Sequence, residues 1–316
     1  MVYINRSRKS IKDRKKYISK YKSSRRRKYI KRGGSSNNNK QPVKKLVSAE
    51  AYKDMCKYNT YDIYKVNLFD NKMLEDGDTI FIHTQHIPKF LETPPAIGKK
   101  LTFVIAGSDL TFDDNLMSSL QPYSINVYAA NCSTKNAKQI PLGFRDNIWT
   151  PNQDLEDIMN DSSKSSDKTI LCLVNFLIQP GNNERVIAKD YFNDKVWATK
   201  SDEYMNYGVD KSLNFKNPET IQKRLDFYAT LKQTKFTICP VGVGIDTHRV
   251  YETLYFGAIP IIKTSFLDPM YIKIGGCWII KDWSEVTEEE CNKRWDNKTT
   301  PPLNRNLLYN VRDWIV

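Results

Sequence analysis

The stretch KFTICPVGVGIDTHRVYETLYFGAIPII, residues 235–262, decides how this chain is read. KFTICPV (235–241) is a short apolar run of the kind that forms a buried strand. A loop with Gly242 and Gly244 follows, and a helix is expected from near Asp246 or Thr247 to Gly257. IPIIK (259–263) is the next strand. Strand, glycine loop, helix and strand make one winding of a parallel α/β layer. Glycines let a backbone approach a ligand closely, and the free N–H groups of a helix N-terminus suit a phosphate. Arg249 falls in the first turn, where a cation opposes the helix dipole, which suggests that an anion is expected there. Glu252 lies one turn further on the same face, where an acid can accept hydrogen bonds from ribose hydroxyls. Gly242, Gly244, Asp246, Thr247, Arg249 and Glu252 together read as a nucleoside-diphosphate site, with His248 assigned to donor binding because it sits beside Arg249. The other reading of these residues is a tight strand–helix turn whose arginine pairs with a nearby acid. The glycine spacing fits neither the Walker A nor the dinucleotide fingerprint.

The same pattern extends outward. DTIFIHT (78–84), KKLTFVIAG (99–107), INVYAAN (125–131), KQIPLGF (138–144), TILCLVNF (169–176) and CWIIKDW (277–283) are expected strands. Residues 46–75 are expected to form helix or turn. ETIQKRLDFYATLKQ (219–233) has apolar residues at helical spacing, and SEVTEEECNKRW (284–295) is an expected helix with Ser284 as N-cap. The polar, serine-rich segment 154–168 is expected to be a domain boundary. Alternation of strand and helix predicts α/β architecture, with parallel sheets covered on both faces in two doubly wound domains. Ligands of such sheets bind at the carboxyl ends of strands, where the strand order reverses.

The chain has 316 residues, with 49 Lys and Arg against 36 Asp and Glu, a net charge of +13. Residues 1–45 carry 18 of the bases and one acid, Asp13, so the remainder is slightly acidic. Its stretch 12–40 has almost no aliphatic residues, and the segment is read as a disordered basic tail suited to polyanions. The other domains are expected at 46–160 and 161–316. Forty per cent apolar residues exclude disorder of the whole chain, and no apolar run is long enough to span a bilayer. The six cysteines show neither CxxC pairs nor zinc spacing, so free thiols in a reducing compartment are expected. The charged N-terminus has no apolar segment behind it, so no secretory signal is expected, and the cytoplasm is the expected location.

The 240–260 block resembles the donor-site segment of exostosin-like glycosyltransferases, a GT-B-fold family. TFVIAGSDLT (102–111), the strand end at Asn131, IPLGFRDNIW (140–149), NFLIQPGNNER (175–185) and IIKDWSEVT (279–287) follow in an order similar to that of bacterial and viral members. The resemblance implies two Rossmann-like domains with a cleft between them. The C-terminal domain would bind a nucleotide-sugar and the N-terminal domain a glycan or other hydroxyl acceptor. It also implies inversion of the anomeric centre, hence a single in-line displacement. Arg249, the N–H groups around residues 244–248 and Arg185 would stabilise the leaving diphosphate, since an arginine fork grips two phosphate oxygens. Asp109 and His83, with His86 nearby, follow strands of the first half and are the candidate bases. Asp113 and Asp114 are adjacent and not spaced as a metal-holding pair, and the arginines would carry the diphosphate charge, so neither a metal nor another cofactor is expected. A rival class is a nucleic-acid-binding or virion-packaged protein that works through its basic tail and carries an inactive transferase-like domain.

Overall fold

The computed structural model describes residues 46–60, 74–96, 98–147, 151–178, 181–201 and 217–315; the basic tail lies outside the described residues. From Lys44 onward the chain forms one compact unit. Among the described residues it holds two five-stranded sheets, and every strand pair in both is parallel.

The first sheet contains β1 (Tyr58–Asn59), β2 (Thr79–Ile82), β3 (Leu101–Ile105), β4 (Ser124–Ala129) and β5 (Lys138–Gln139), in chain order across the sheet. Successive right-handed crossovers in such an order lie on one face. Ile80, Ile82, Phe103 and Ile105 accordingly share an apolar cluster with Ile87 and Phe90 of α2 (Ile87–Leu91) and Met117 and Leu120 of α3 (Asp114–Leu120). Phe81, Val104 and Tyr128 belong instead to the main cluster, with Tyr52 of α1 (Ala49–Lys53) and with residues of the second half. Both faces are therefore apolar, which is why these strands read as continuous hydrophobic runs.

The second sheet contains β6 (Ile170–Val174), β7 (Ala198–Lys200), β8 (Thr234–Ile238), β9 (Ile259–Lys263) and β10 (Trp278–Ile280), in the order β7-β6-β8-β9-β10. From β6 the chain moves outward to β7, then returns to the other side of β6 as β8. This reversal makes β6/β8 a topological switch point, where ligands of open α/β sheets bind. The first sheet has no such reversal among the described strands, so the doubly wound expectation fits the second sheet and not the first.

Several elements differ from expectation for visible reasons. Residues 154–168, expected as a polar boundary, begin inside helix α4 (Asn152–Asn160). Its Leu155 and Ile158 are buried, and its Asp154 is fully buried in an ion pair with Arg224 of α6 (Pro218–Lys232). Lys232 at the end of α6 donates to the carbonyls of Ile158, Met159 and Asp161, capping α4 from another element. Arg185, which follows β6 and a loop, stands in the first turn of helix α5 (Asn183–Phe192), capped by Asn182. The expected strand 138–144 joins the sheet only at Lys138–Gln139; beyond it Leu142 bonds a side chain of the second half and Phe144 bridges Ser48. Helix α7 (His248–Tyr255) follows β8, and α8 (Asp268–Ile274) follows β9. Helix α9 (Glu288–Asn297) is capped by Thr287, whereas Ser284 lies in a short turn capped by Asp282. All six cysteines are free thiols. Among the described residues no helix is long and apolar enough to cross a membrane.

Candidate functional site

The expected residues converge at the carboxyl ends of β6 and β8. After β8, Cys239 still pairs with Ile261 through its N–H, and the chain then turns with Gly242 N–H bonded to Gly244 O at 2.9 Å. Gly244 has no room for a side chain. A Cβ there would stand 2.9 Å from the Asp109 carbonyl oxygen and 2.9 Å from Asn131 Nδ2. The glycine is thus explained by the close approach of the loop after β3, which carries Asp109.

Helix α7 begins at Thr247, whose extended backbone makes it the N-cap. Its hydroxyl caps nothing: Thr247 Oγ1 is buried and has no hydrogen-bond partner. Arg249, one residue into the helix, is fixed on three sides. Its Nε donates to Glu252 Oε2 at 3.1 Å, its Nη1 donates to the carbonyl and side-chain oxygens of Asn175, and its guanidinium lies 4.0 Å from the Phe227 ring centre. Glu252, expected to face a ribose, is buried, with one oxygen on Arg249 and the other accepting from the Tyr228 hydroxyl at 3.3 Å. The carboxylate neutralises a cation that the helix dipole disfavours.

Arg185 approaches the same place from α5. Its Nε donates to Val241 O at 3.0 Å and its Nη1 to Leu177 O at 2.7 Å. Its Nη2 lies 2.9 Å from where a Cβ on Gly242 would stand. The two arginines thus bracket the switch point, each bonded to backbone following β6, with Arg185 also bonded to backbone following β8. Burial, then the charges of Arg249 and Arg145, hold Arg185 below the usual arginine range. Arg145 was carried in the segment IPLGFRDNIW without being singled out. Its proximity depends on the loop after β5 crossing to the second half, which local sequence does not reveal.

Three side chains tie the halves together here. Asn131, fully buried and in the left-handed region at φ 49°, donates from Nδ2 to Ser108 O and accepts from Asp246 N–H at 2.8 Å. Asp246 accepts from Tyr251 and Tyr271 hydroxyls and from Leu142 N–H, at 2.5, 2.8 and 2.8 Å. Burial raises its pKa to about 6 against these bonds. Expected as a ligand contact, Asp246 is instead enclosed by protein donors. His248 bonds through Nδ1 to Gly143 O at 2.7 Å. Burial, followed by the charge of Arg145, lowers its pKa.

The two candidate bases part company. Asp109 is exposed, and its charge acts on Arg185 and His248. His83 is 3% exposed and donates from Nδ1 to Gly107 O at 2.9 Å, packed directly behind that glycine. It supports the turn that carries Asp109 and does not face outward with it. His86 is also buried, bonded to Thr60 O. Asp113 caps α3 and Asp114 accepts from Thr134. Among the described residues no group of three His, Cys, Asp or Glu is placed to hold a metal ion.

Residues 195–289 match the family model of the RXYLT1 C-terminal domain. This part of the chain is similar to that exostosin-like glycosyltransferase domain. The exostosin-like segment contains Gly242, Gly244, the whole of α7 with Arg249 and Glu252, and the strands β8 to β10. Arg145, Arg185, Asp109 and His83 lie outside it. No curated protein matches the chain.

Proposed function

We propose that the protein is a glycosyltransferase that moves a sugar from a nucleoside diphosphate to an acceptor hydroxyl, with the diphosphate bound at the N-terminus of α7. The observation that carries this reading is the convergence of Arg185 and Arg249, from different helices, on one switch point, with the charge of Arg145 close by. Cations that repel one another and oppose a helix dipole become favourable together when a dianion lies among them. The uncapped Thr247 hydroxyl and the exostosin-like match over α7 support the same placement.

In this reading residues 161–316 hold the donor and residues 46–160 face the acceptor, across a GT-B-like cleft. Transfer is a single in-line displacement that inverts the anomeric centre. The arginines and the first-turn N–H groups take up the charge that grows on the leaving diphosphate, so no metal is required. Glu252 aims Arg249 and does not itself hold the ribose. The base is sought among groups beside the helix N-terminus, where Asp109 stands and His83 does not.

The test is calorimetric titration of UDP, GDP, CDP and ADP into a chain beginning at Lys44, since residues 1–43, with a net charge of +15, would bind any polyanion. One nucleotide should bind selectively, and Arg249→Ala should weaken it roughly tenfold to a hundredfold. Equal weak binding of all four that survives the substitution sinks the reading.

A further inference from the structure

The chain has three histidines, and His248 alone stands at the switch point. Its Nδ1 lies 2.7 Å from the Gly143 carbonyl oxygen. A carbonyl only accepts, so Nδ1 carries the ring proton and Nε2 is left with its lone pair. The charged groups that act on the ring are Arg145 and Asp109 from the first half and Glu252 from its own helix. Burial and Arg145 keep the imidazole neutral at neutral pH. A neutral ring presenting a bare Nε2 repels a phosphate oxygen and attracts a hydroxyl. Arg145 acts on the ring and Arg249 is its chain neighbour, and an arginine cannot accept a proton.

We propose that His248 is the catalytic base of the transfer: its Nε2 takes the proton of the acceptor hydroxyl. As that oxygen bonds to the anomeric carbon, the bond from this carbon to the diphosphate oxygen breaks, and its electron pair leaves with the nucleoside diphosphate. The resulting imidazolium is held by its Gly143 bond and by the charges of Asp109 and Glu252, then gives its proton to water. Asp109 on this account stabilises the imidazolium and is not the proton acceptor. The proposal rests on the transferase reading.

Two variants of the full-length chain test it. His248→Asn keeps an N–H donor for Gly143 O and removes Nε2. His248→Gln puts an amide near the Nε2 position that cannot take a proton. The nucleoside diphosphate from the panel that binds tightest is the first probe. Its binding heat is measured in buffers of different ionisation enthalpy. The expected result is no proton uptake and affinities within about threefold of wild type in both variants. Uptake of a proton by the wild type that disappears in His248→Asn would make His248 a phosphate ligand and overturn the proposal. Absence of any nucleotide binding would instead bring down the transferase reading beneath it. The second probe is release of that nucleotide from its sugar conjugates. Both variants should lose about 10²- to 10⁴-fold in kcat with KM for the donor unchanged, together with the acidic limb of the pH profile. Equal release by variant and wild-type chains, zero included, overturns the assignment.

Discussion

In the first sheet the strands lie side by side in the order the chain makes them; in the second the chain doubles back across β6. Both sheets are parallel, both are apolar on two faces, and their central strands are of similar length. The difference lies in their ends. Where the order reverses, the loops after β6 and β8 diverge, and their carbonyls and Asn175 receive both Arg185 and Arg249. In the sequential sheet the loops after β3, β4 and β5 supply Asp109, Asn131 and Gly143 to that same place. Topology gives one sheet a switch point and makes the other its wall.

Arg249→Ala should break this contrast most severely. Donor turnover is expected to fall by about 10³-fold, as for loss of a donor aimed at developing charge. The folded state should lose about 3 kcal/mol, because Glu252 is left buried without the cation that pairs with it. Adding Glu252→Gln should recover part of the stability in denaturant melts but none of the turnover; additive losses in both would show that the two side chains do not act as a unit. Asp154→Ala is the structural counterpart. It strands Arg224, which is 1% exposed, and should cost about 3–5 kcal/mol, with turnover per folded molecule unchanged.

Asp246 joins the two regions and gives them a pH dependence. Its folded pKa of about 6 lies above the ordinary 3.8, so its protonated form favours the folded state. That contribution is complete below 3.8 and is lost as pH rises through about 6, a change of about 3 kcal/mol. Unfolding free energies measured from pH 4 to pH 7 should therefore fall in the wild type relative to Asp246→Asn. Parallel curves would show that its hydrogen bonds from Tyr251, Tyr271, Leu142 and the Thr247 N–H hold the carboxylate at its ordinary value. The smallest effect is expected from Asp113→Ala, which removes the N-cap of α3. It should cost about 1 kcal/mol and leave nucleotide affinity unchanged, since the cap bonds only the first turn of its own helix.

What could be read from the sequence was local. The runs at 101–105, 170–174 and 234–238 are strands because both faces are covered, and covered strands announce themselves by continuous apolarity. Helix α7 was legible from its glycine loop and from Gly257 at its end, and Arg249 from its place against the dipole. Helix α4 was hidden because the polar Asp154 is internal, and its partner Arg224 is 70 residues away. Glu252 was legible as a neighbour of Arg249, but not that Tyr228 and Arg249 would occupy both its oxygens. The switch point itself depends on which strand pairs with β6, and strand composition does not encode that choice.

Asn131 sets the separation of the two loops with a single amide: its nitrogen holds the Ser108 carbonyl and its oxygen holds the Asp246 N–H. Gly244 is then the only residue type that fits the gap so defined. The segments 102–131 and 235–262 are consequently a matched set. A chimera that grafted a foreign 235–262 onto this first half would transplant one jaw of a vice without its spacer, and so would one that lengthened Asn131 to Gln. A glycan on the Asn131-Cys132-Ser133 sequon is incompatible with the same fit, because the amide that would carry it is fully buried in the folded protein.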